Sequence, residues 1–214
     1  MKLVKAKKVG KNKVELEFDI QNKIVLSYET FLKFQLKLKQ EISQEYFNQL
    51  IEEDNKFVIK QIALGYLARR LHSKHEIRVK LKQKRFDSES IEKIIHELEE
   101  KKYLNDENFA YTFVDEKVRG MNWGRNKIRA ELTRRGIPAD IIDAITRERF
   151  SEDSEITAGM ELAKKKLDRL MKRKADPNKI KTSVLSFLTS RGYSYETCKL
   201  IYGLLFKTED LKDI

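Results

Sequence analysis

The stretch IRAELTRRGIPADIIDAI, residues 128–145, carries the clearest structural signal in the chain. Five of its apolar residues form a template that recurs elsewhere: Ile128, Leu132, Ile137, Ile142 and Ile145. Gly136 stands where a helix needs a left-handed C-terminal cap, and Pro138 suits the first turn of a following helix. The pattern therefore predicts two helices joined by a short turn, with one apolar face between them.

The same apolar spacing returns in two other stretches. Residues 77–94 read IRVKLKQKRFDSESIEKI, and residues 184–201 read VLSFLTSRGYSYETCKLI. Gly192 repeats the capping glycine, whereas Arg85 occupies that position in the earlier copy, where we expect it to lower local stability. Ser88 and Ser194 are expected to start the following helices. With one preceding helix per copy, predicted over 60–71, 107–118 and 155–174, the pattern indicates three tandem three-helix units.

The first thirty residues carry strand signals instead. Val14, Leu16 and Phe18 alternate with acidic residues, which predicts a strand with one apolar face. Turns are expected at 10–12 and 21–22, and a further strand at 24–26. The helical part is expected to begin at Ser43, which suits the N-cap position. We predict a mainly α fold whose tandem three-helix repeats form an elongated curved body, with a small N-terminal β-hairpin or three-stranded element. The predicted segments are 1–57 (β element plus helix), 58–105, 106–152 and 153–214 (one repeat each).

Composition limits the class of protein and of partner. The 214 residues include 45 Lys and Arg against 34 Asp and Glu, a net charge of +11, which favours a polyanionic partner. Solvation of helix surfaces is the plainer explanation of these lysines. A single cysteine, Cys198, excludes an internal disulfide and a thiolate zinc cage, and it is expected to be a core residue. The absence of a signal-like segment or a long apolar run predicts a cytoplasmic protein without a membrane partner.

Basic residues recur at two equivalent positions of the three units. Lys74, Arg125 and Lys181 share one position, and Lys84, Arg135 and Arg191 share the other. Stacked repeats would align them into basic stripes, although ion pairs with glutamates or cover of apolar surface would also explain the recurrence. The candidate DNA- or filament-binding residues are Arg69, Arg70, Lys74, Arg78, Lys84, Trp123, Arg125, Arg129, Arg134, Arg135, Lys181 and Arg191. Trp123 either stacks on bases or anchors a protein interface, or it packs between helices.

The sequence does not predict enzymatic chemistry. It lacks a phosphate-binding Gly-Lys-Ser/Thr loop and a dinucleotide fingerprint. His72, His75 and Glu76 are too few and too local to predict a metal site, and the acidic residues are scattered among lysines rather than clustered as in a metal-dependent nuclease. No catalytic residue, metal or cofactor is therefore predicted.

Several motifs resemble the RecX family. These are Ala-Leu-Gly-Tyr-Leu-Ala-Arg-Arg at 63–70, Tyr-Leu-Asn-Asp-Glu-Asn-Phe-Ala at 103–110, Gly-Arg at 124–125 and Arg-Gly-Ile at 135–137. The third unit and the first 60 residues are similar more loosely. Arg85 departs from the glycine that the family pattern has at this position, which leaves the strength of any inhibition open.

The resemblance implies a cytoplasmic, most simply monomeric regulator of the RecA recombinase. Such proteins bind the RecA–DNA filament, commonly suppress strand exchange, ATP hydrolysis and co-protease action, and bind single- and double-stranded DNA without sequence preference. The alternatives are a stand-alone helical DNA-binding protein that uses one helix pair in a major groove, and an enzyme such as a nuclease. If the stripes bind, reversing the charge of Arg125, Arg135 and Arg191 together should weaken filament binding without unfolding the protein.

Overall fold

The computed structural model describes residues 1–20, 22–174 and 176–207, and the chain divides into two compact units, Met1–Leu104 and Asn105–Ile214. The first unit contains β1 (Leu3–Val9), β2 (Lys13–Phe18), β3 (Lys23–Ser27), α1 (Tyr28–Lys33), α2 (Gln44–Leu67), α3 (Lys74–Gln83) and α4 (Ser88–Glu100). The second unit contains α5 (Asp106–Met121), α6 (Arg125–Arg134), α7 (Ala139–Arg149), α8 (Glu152–Lys172), α9 (Pro177–Arg191) and α10 (Tyr195–Lys207). The fold is mainly helical with a three-stranded N-terminal sheet, as predicted.

The three strands form an antiparallel sheet in the order β1-β2-β3. Val14, Leu16 and Phe18 are buried on one face, as their alternation predicts, and pack with Leu50 of α2. The turn at 10–12 is also confirmed, whereas residue 21 of the second expected turn lies outside the described residues. Burial of such side chains stabilises the fold by roughly 1.5–3 kcal/mol each. The sheet is therefore attached to the helical part through a shared core.

The three-helix pattern is confirmed by three separate cores. One core lies among α2, α3 and α4, another among α5, α6 and α7, and a third among α8, α9 and α10. The apolar template residues of all three copies are buried, except for Phe86, which is half-buried. Cys198 is one of these core residues, as expected.

Helix boundaries differ in part from those predicted. The Ser43 hydroxyl caps α2 by accepting the Tyr46 N–H, as predicted. However, α2 is one continuous helix, so its expected start at residue 60 is wrong, and the proposed boundary between 57 and 58 falls inside it. Ser88 is the first residue of α4, but the capping side chain is Asp87. Pro138 precedes α7 instead of lying in its first turn.

The turn after each middle helix uses a residue with positive φ. Gly136 and Gly192 have φ of 70° and 93°, and Arg85 has φ of 66° at the equivalent position. A side chain with a Cβ is strained in this conformation, whereas glycine is not. The expected cost of Arg85 therefore has a structural basis.

Replacing Arg85 by glycine should stabilise the protein. Relief of the left-handed strain is expected to raise the free energy of unfolding by about 1 kcal/mol. The thermal unfolding midpoint of Arg85→Gly measures the change. Arg85→Ala is the matched control, because it removes the same charge but keeps the Cβ; an equal rise in both variants would attribute the effect to charge.

Candidate nucleic-acid interface

The basic candidates of the first unit are mostly paired with acids. Arg78 forms a two-bond pair with Glu92 of α4, with nitrogen–oxygen distances of 2.6 and 2.7 Å. Lys74 contacts Glu99 at 2.8 Å, and Arg70 contacts Glu76 at 2.8 Å. Partly exposed pairs of this kind contribute little to stability, so a phosphate could replace the carboxylate at small cost.

Arg69 and Lys84 present their charge differently. Both are exposed, and neither forms an ion pair with another residue in the part of the chain that the structure describes. Lys84 follows α3 directly, where the helix dipole favours a cation. The same holds for Arg135 at the end of α6 and for Arg191 at the end of α9. The recurrence of a basic residue at this position therefore has a structural explanation besides binding.

Arg125 connects α6 to the next repeat. Its guanidinium Nη2 donates to the Phe150 carbonyl at 2.8 Å and lies 3.1 Å from Glu155 Oε2. Its backbone N–H donates to Glu155 Oε1 at 3.1 Å. The Glu155 side chain is only 11% exposed. Because Arg125 neutralises a nearly buried carboxylate, its side chain has a structural role that the sequence pattern does not reveal.

Two other arginines of the second repeat pack against their own unit. Arg135 lies over the Phe113 ring, 4.8 Å from its centroid, and its side chain is 23% exposed. Arg129 contacts Asp143 at 2.6 Å and donates to the Thr146 hydroxyl. Arg134, by contrast, is 70% exposed and pairs with Glu131 on its own helix. Arg134 is thus the candidate of this repeat that is most open to a ligand.

Trp123 packs against the core among α5, α6 and α7 rather than standing free. Its ring makes an edge contact with Phe113 at 6.1 Å. The ammonium groups of Lys117 and Lys127 lie 5.9 and 4.7 Å from its ring centroid. Of the two interpretations of this residue, packing between helices is the one that the contacts support.

In the third repeat, Lys181 is exposed and Arg191 is not. The Lys181 ammonium lies 5.6 Å from the Phe206 ring centroid. Arg191 donates to the Met121 carbonyl at 3.1 Å and lies over the Phe187 ring. Arg191 therefore joins the third repeat to the end of α5.

A joint between the second and third repeats was not foreseen from the sequence. The N–H groups of Gly124 and Asn126 donate to the carbonyls of Arg191 and Gly192 at 2.8 and 3.0 Å. The end of α9 thereby caps the start of α6, which pairs the negative end of one helix dipole with the positive end of the other. A Cβ on Gly124 would lie 2.6 Å from the Gly192 carbonyl oxygen, so both glycines are needed for the approach. The signal in the sequence was Gly124 itself, at the position where the first repeat has the capping serine Ser73.

Tyr193 adds a further hydrogen bond to this contact between the second and third repeats. Its hydroxyl donates to the Asn122 carbonyl at 3.0 Å, and the residue is 3% exposed. Burial raises the pKa of Tyr193 to about 12. The neutral phenol is therefore the form that the folded protein holds.

The stability of the second unit should fall in alkaline solution. A tyrosine in the unfolded chain ionises near pH 10, whereas Tyr193 in the folded protein ionises near pH 12. The contribution of the neutral phenol to stability is therefore fully present below about pH 10 and is lost as the pH rises from there towards about 12. Urea unfolding at about pH 9 and about pH 11 should show a smaller loss in Tyr193→Phe than in the wild type. Tyr195→Phe, which changes a tyrosine that is 77% exposed, is the control and should behave as the wild type does. Parallel losses in wild type and Tyr193→Phe would contradict the prediction.

The histidines do not assemble a metal site. His72 is buried, its Nδ1 lies 3.0 Å from the Arg70 carbonyl, and burial lowers its pKa. Among the described residues, no group of three or more His, Cys, Asp or Glu side chains could hold a metal ion. No described helix has the length and apolar character that crossing a membrane requires.

Comparison with known proteins gives the same three-helix division for the middle of the chain. The models of the first and second three-helix domains of RecX match residues 60–98 and 105–145. A regulatory protein RecX of Clostridium acetobutylicum is 31% identical over 193 residues, which cover 90% of this chain and 89% of that protein. The chain belongs to the RecX family. A RecX of Clostridium perfringens is 30% identical over 96% of both chains.

Solved RecX structures share the fold. A crystal structure of a regulatory protein RecX superposes with a TM-score of 0.69 at 20% identity, covering 94% of this chain and 98% of the other. RecX from Lactobacillus salivarius superposes with a TM-score of 0.62 at 23% identity, covering 72% and 97%. The two RecX domain models correspond to the α2–α4 and α5–α7 helix groups, while α8–α10 and the N-terminal sheet lie beyond them.

Proposed function

We propose that this protein binds the RecA–DNA filament and lowers the strand-exchange, ATPase and co-protease activities of the recombinase. The observation that carries the proposal is the 31% identity to a regulatory protein RecX over nine-tenths of both chains. The net charge of +11 supports contact with the DNA of the filament. In this proposal the protein is a cytoplasmic, non-enzymatic monomer that needs no cofactor.

The proposed contacts to the filament come from exposed basic side chains. Arg69, Lys84, Arg134 and Lys181 are exposed. The other candidates of the first unit, Arg70, Lys74 and Arg78, can exchange their carboxylate partners for phosphate. The remaining candidates of the second unit are proposed to act mainly by stabilising the packing of the repeats. These are Arg125, Arg129, Arg135, Arg191 and Trp123. We propose the segments 58–105, 106–152 and 153–214 as the repeats of this binding protein, with segment 1–57 joined to the first of them by the continuous helix α2.

Binding to filament and to bare DNA separates this proposal from the stand-alone DNA-binding alternative. We expect the protein, labelled with a fluorophore, to bind RecA filaments on single-stranded DNA at least about tenfold more tightly than the same DNA without RecA. Filaments held with a slowly hydrolysed ATP analogue keep the target constant. Equal affinities for both targets would refute the proposal and favour plain DNA binding.

A triple charge reversal tests the proposed residues. Arg69→Glu, Lys84→Glu and Lys181→Glu together should weaken filament binding about tenfold or more, because three cationic contacts become repulsive. The exposed Lys93, Lys101 and Lys165, each paired with a glutamate four positions away, provide a control reversal of equal charge. Equal losses in both variants would show that total charge, not these positions, governs binding.

A further inference from the structure

The tip of the N-terminal hairpin is a short, strongly basic segment of the first unit. Residues 7–13 read Lys-Lys-Val-Gly-Lys-Asn-Lys, with four lysines and no acid. β1 and β2 stay paired up to Val9 and Lys13, and Gly10 makes the turn with φ of 70°. We call residues 7–13 the hairpin tip. All four of its lysines are exposed.

The lysines of the hairpin tip differ from the basic residues of the helices. Within the described residues, Lys7, Lys8, Lys11 and Lys13 make no ion pair, whereas most of the helical candidates contact a carboxylate. Glu15 is the acid directly across the sheet from Lys7. The four lysine ammonium groups of this seven-residue segment repel each other, and a bound polyanion would relieve that repulsion.

The hairpin tip is held in place by the rest of the unit. The Tyr28 N–H donates to the Asn12 carbonyl at 2.9 Å. Next to Tyr28, the Ser27 N–H and hydroxyl both donate to the buried Asp54 carboxylate of α2, at 2.8 and 2.6 Å. Because the tip is already ordered, little conformational entropy is lost when a ligand binds to it.

An aromatic surface lies beside one of these lysines, Lys8. The Lys8 ammonium is 5.2 Å from the Tyr28 ring centroid, and Tyr28 stacks on Phe31 at 6.3 Å with an interplanar angle of 22°. Tyr28 is 38% exposed. Exposed aromatic rings beside cations suit unpaired bases, which stack on the ring while the phosphates contact the lysines.

We propose that the hairpin tip binds the sugar–phosphate backbone of single-stranded DNA and that Tyr28 provides a stacking surface for a base. The proposal rests on the DNA-binding part of the proposed function and gives it a location outside the three-helix repeats. Lysine ammonium groups act as point charges without the paired geometry that reads base edges, so this contact is independent of sequence. Release of counterions from the strand supplies its affinity.

The test is binding of a fluorescein-labelled mixed-sequence single-stranded oligonucleotide to the full chain, measured by anisotropy over a range of salt concentrations. The hairpin variant carries Lys7→Gln, Lys8→Gln, Lys11→Gln and Lys13→Gln. Its affinity should fall about tenfold or more, and the slope of log Kd against log salt should flatten by about 0.7 for each phosphate that the variant no longer neutralises. Tyr28→Ala alone should weaken binding about fivefold or more, because the base then has no ring on which to stack.

Two matched variants make the result specific. The first is a second-unit variant that removes the same amount of charge from four exposed lysines and should keep most of the affinity for the oligonucleotide. It carries Lys164→Gln, Lys172→Gln, Lys179→Gln and Lys199→Gln. Arginine at the four hairpin positions should retain binding, which excludes misfolding of the hairpin as the cause. Unchanged affinity in the hairpin variant, or an equal loss in the second-unit variant, would overturn the proposal.

Failure of this proposal is distinguishable from failure of the proposed function. A hairpin variant that binds bare DNA as the wild type does, yet still lowers RecA activity, overturns only the assignment of the hairpin tip. A wild-type protein that binds the oligonucleotide through the hairpin tip but does not affect RecA overturns only the proposed function.

Discussion

Gly192→Ala should strongly destabilise the second unit. The residue has φ of 93°, and an added Cβ would overlap the Cβ and backbone nitrogen of Lys127 at the start of α6. Left-handed strain and overpacking together are expected to lower the free energy of unfolding by about 3 kcal/mol. The substitution would also pull the α9 carbonyls away from the N–H groups of Gly124 and Asn126.

Urea unfolding followed by tryptophan fluorescence measures this destabilisation. Trp123 is the single tryptophan and packs against the second-unit core next to the joint, so its emission reports on this region. Gly203→Ala in α10 is the control, since a Cβ there meets no atom within 4 Å and alanine favours a helix. A Gly192→Ala protein as stable as wild type would mean that the third repeat does not dock on α6 as described.

Arg125→Ala should also cost stability, which separates its structural role from a binding role. The substitution removes the hydrogen bond to the Phe150 carbonyl and leaves the nearly buried Glu155 carboxylate without its cation. We expect the free energy of unfolding to fall by about 2 kcal/mol, less than for a fully buried pair because Arg125 is 40% exposed. Arg134→Ala, at a surface pair, should change stability by less than about 0.5 kcal/mol.

Two further variants isolate the pair. In a double-mutant cycle, Arg125→Ala and Glu155→Ala together should cost less than the sum of the single changes, because each single variant removes the same interaction. Arg125→Lys keeps the charge but cannot reproduce the geometry of the guanidinium hydrogen bonds, so it should lower stability while leaving long-range attraction to DNA intact. Additive effects in the cycle would contradict a direct Arg125–Glu155 interaction.

These interactions change the expectation for the triple charge reversal at Arg125, Arg135 and Arg191. The sequence alone predicts weaker filament binding in a protein that stays folded. Arg125 faces Glu155, Arg135 lies over Phe113, and Arg191 donates to the carbonyl of Met121. A carboxylate at any of these positions cannot make these interactions and meets acids, ring faces or carbonyl oxygens, so unfolding would accompany any weakening of binding. Reversal at Arg69, Lys84 and Lys181 reduces this ambiguity, because these three side chains are exposed.

Much of the fold was predictable because its signals are local. The apolar template, the capping glycines Gly136 and Gly192, and the alternation in β2 each need only neighbouring residues to be recognised. The extent of α2 was harder to foresee: no proline interrupts it, and the change from the sheet core at Leu50 to the repeat core at Ile59 leaves no break in the helix. The six-residue helix α1 is too short to show an apolar period.

The candidate site was less predictable because charge alone does not say what a charge contacts. Arg125 and Glu155 are 30 positions apart, and Gly124 meets residues 191 and 192 only through tertiary packing. A basic residue at the end of each middle helix suits the helix dipole as well as it suits DNA. The hairpin tip lies outside the repeats, so its lysines take no part in the recurrence that singles out basic residues in the helices. Only the paired strands and the position of Tyr28 bring one of its lysines, Lys8, next to an aromatic ring.

ATP hydrolysis by RecA on single-stranded DNA, with this protein titrated in, tests the regulatory function most directly. We expect the rate of ATP hydrolysis to fall when this protein is present at well below one molecule per RecA protomer. A protein that bridges protomers or blocks filament growth affects many protomers at once. Unchanged hydrolysis at saturation, with bare DNA still bound, would contradict regulation of RecA and identify a plain DNA-binding protein.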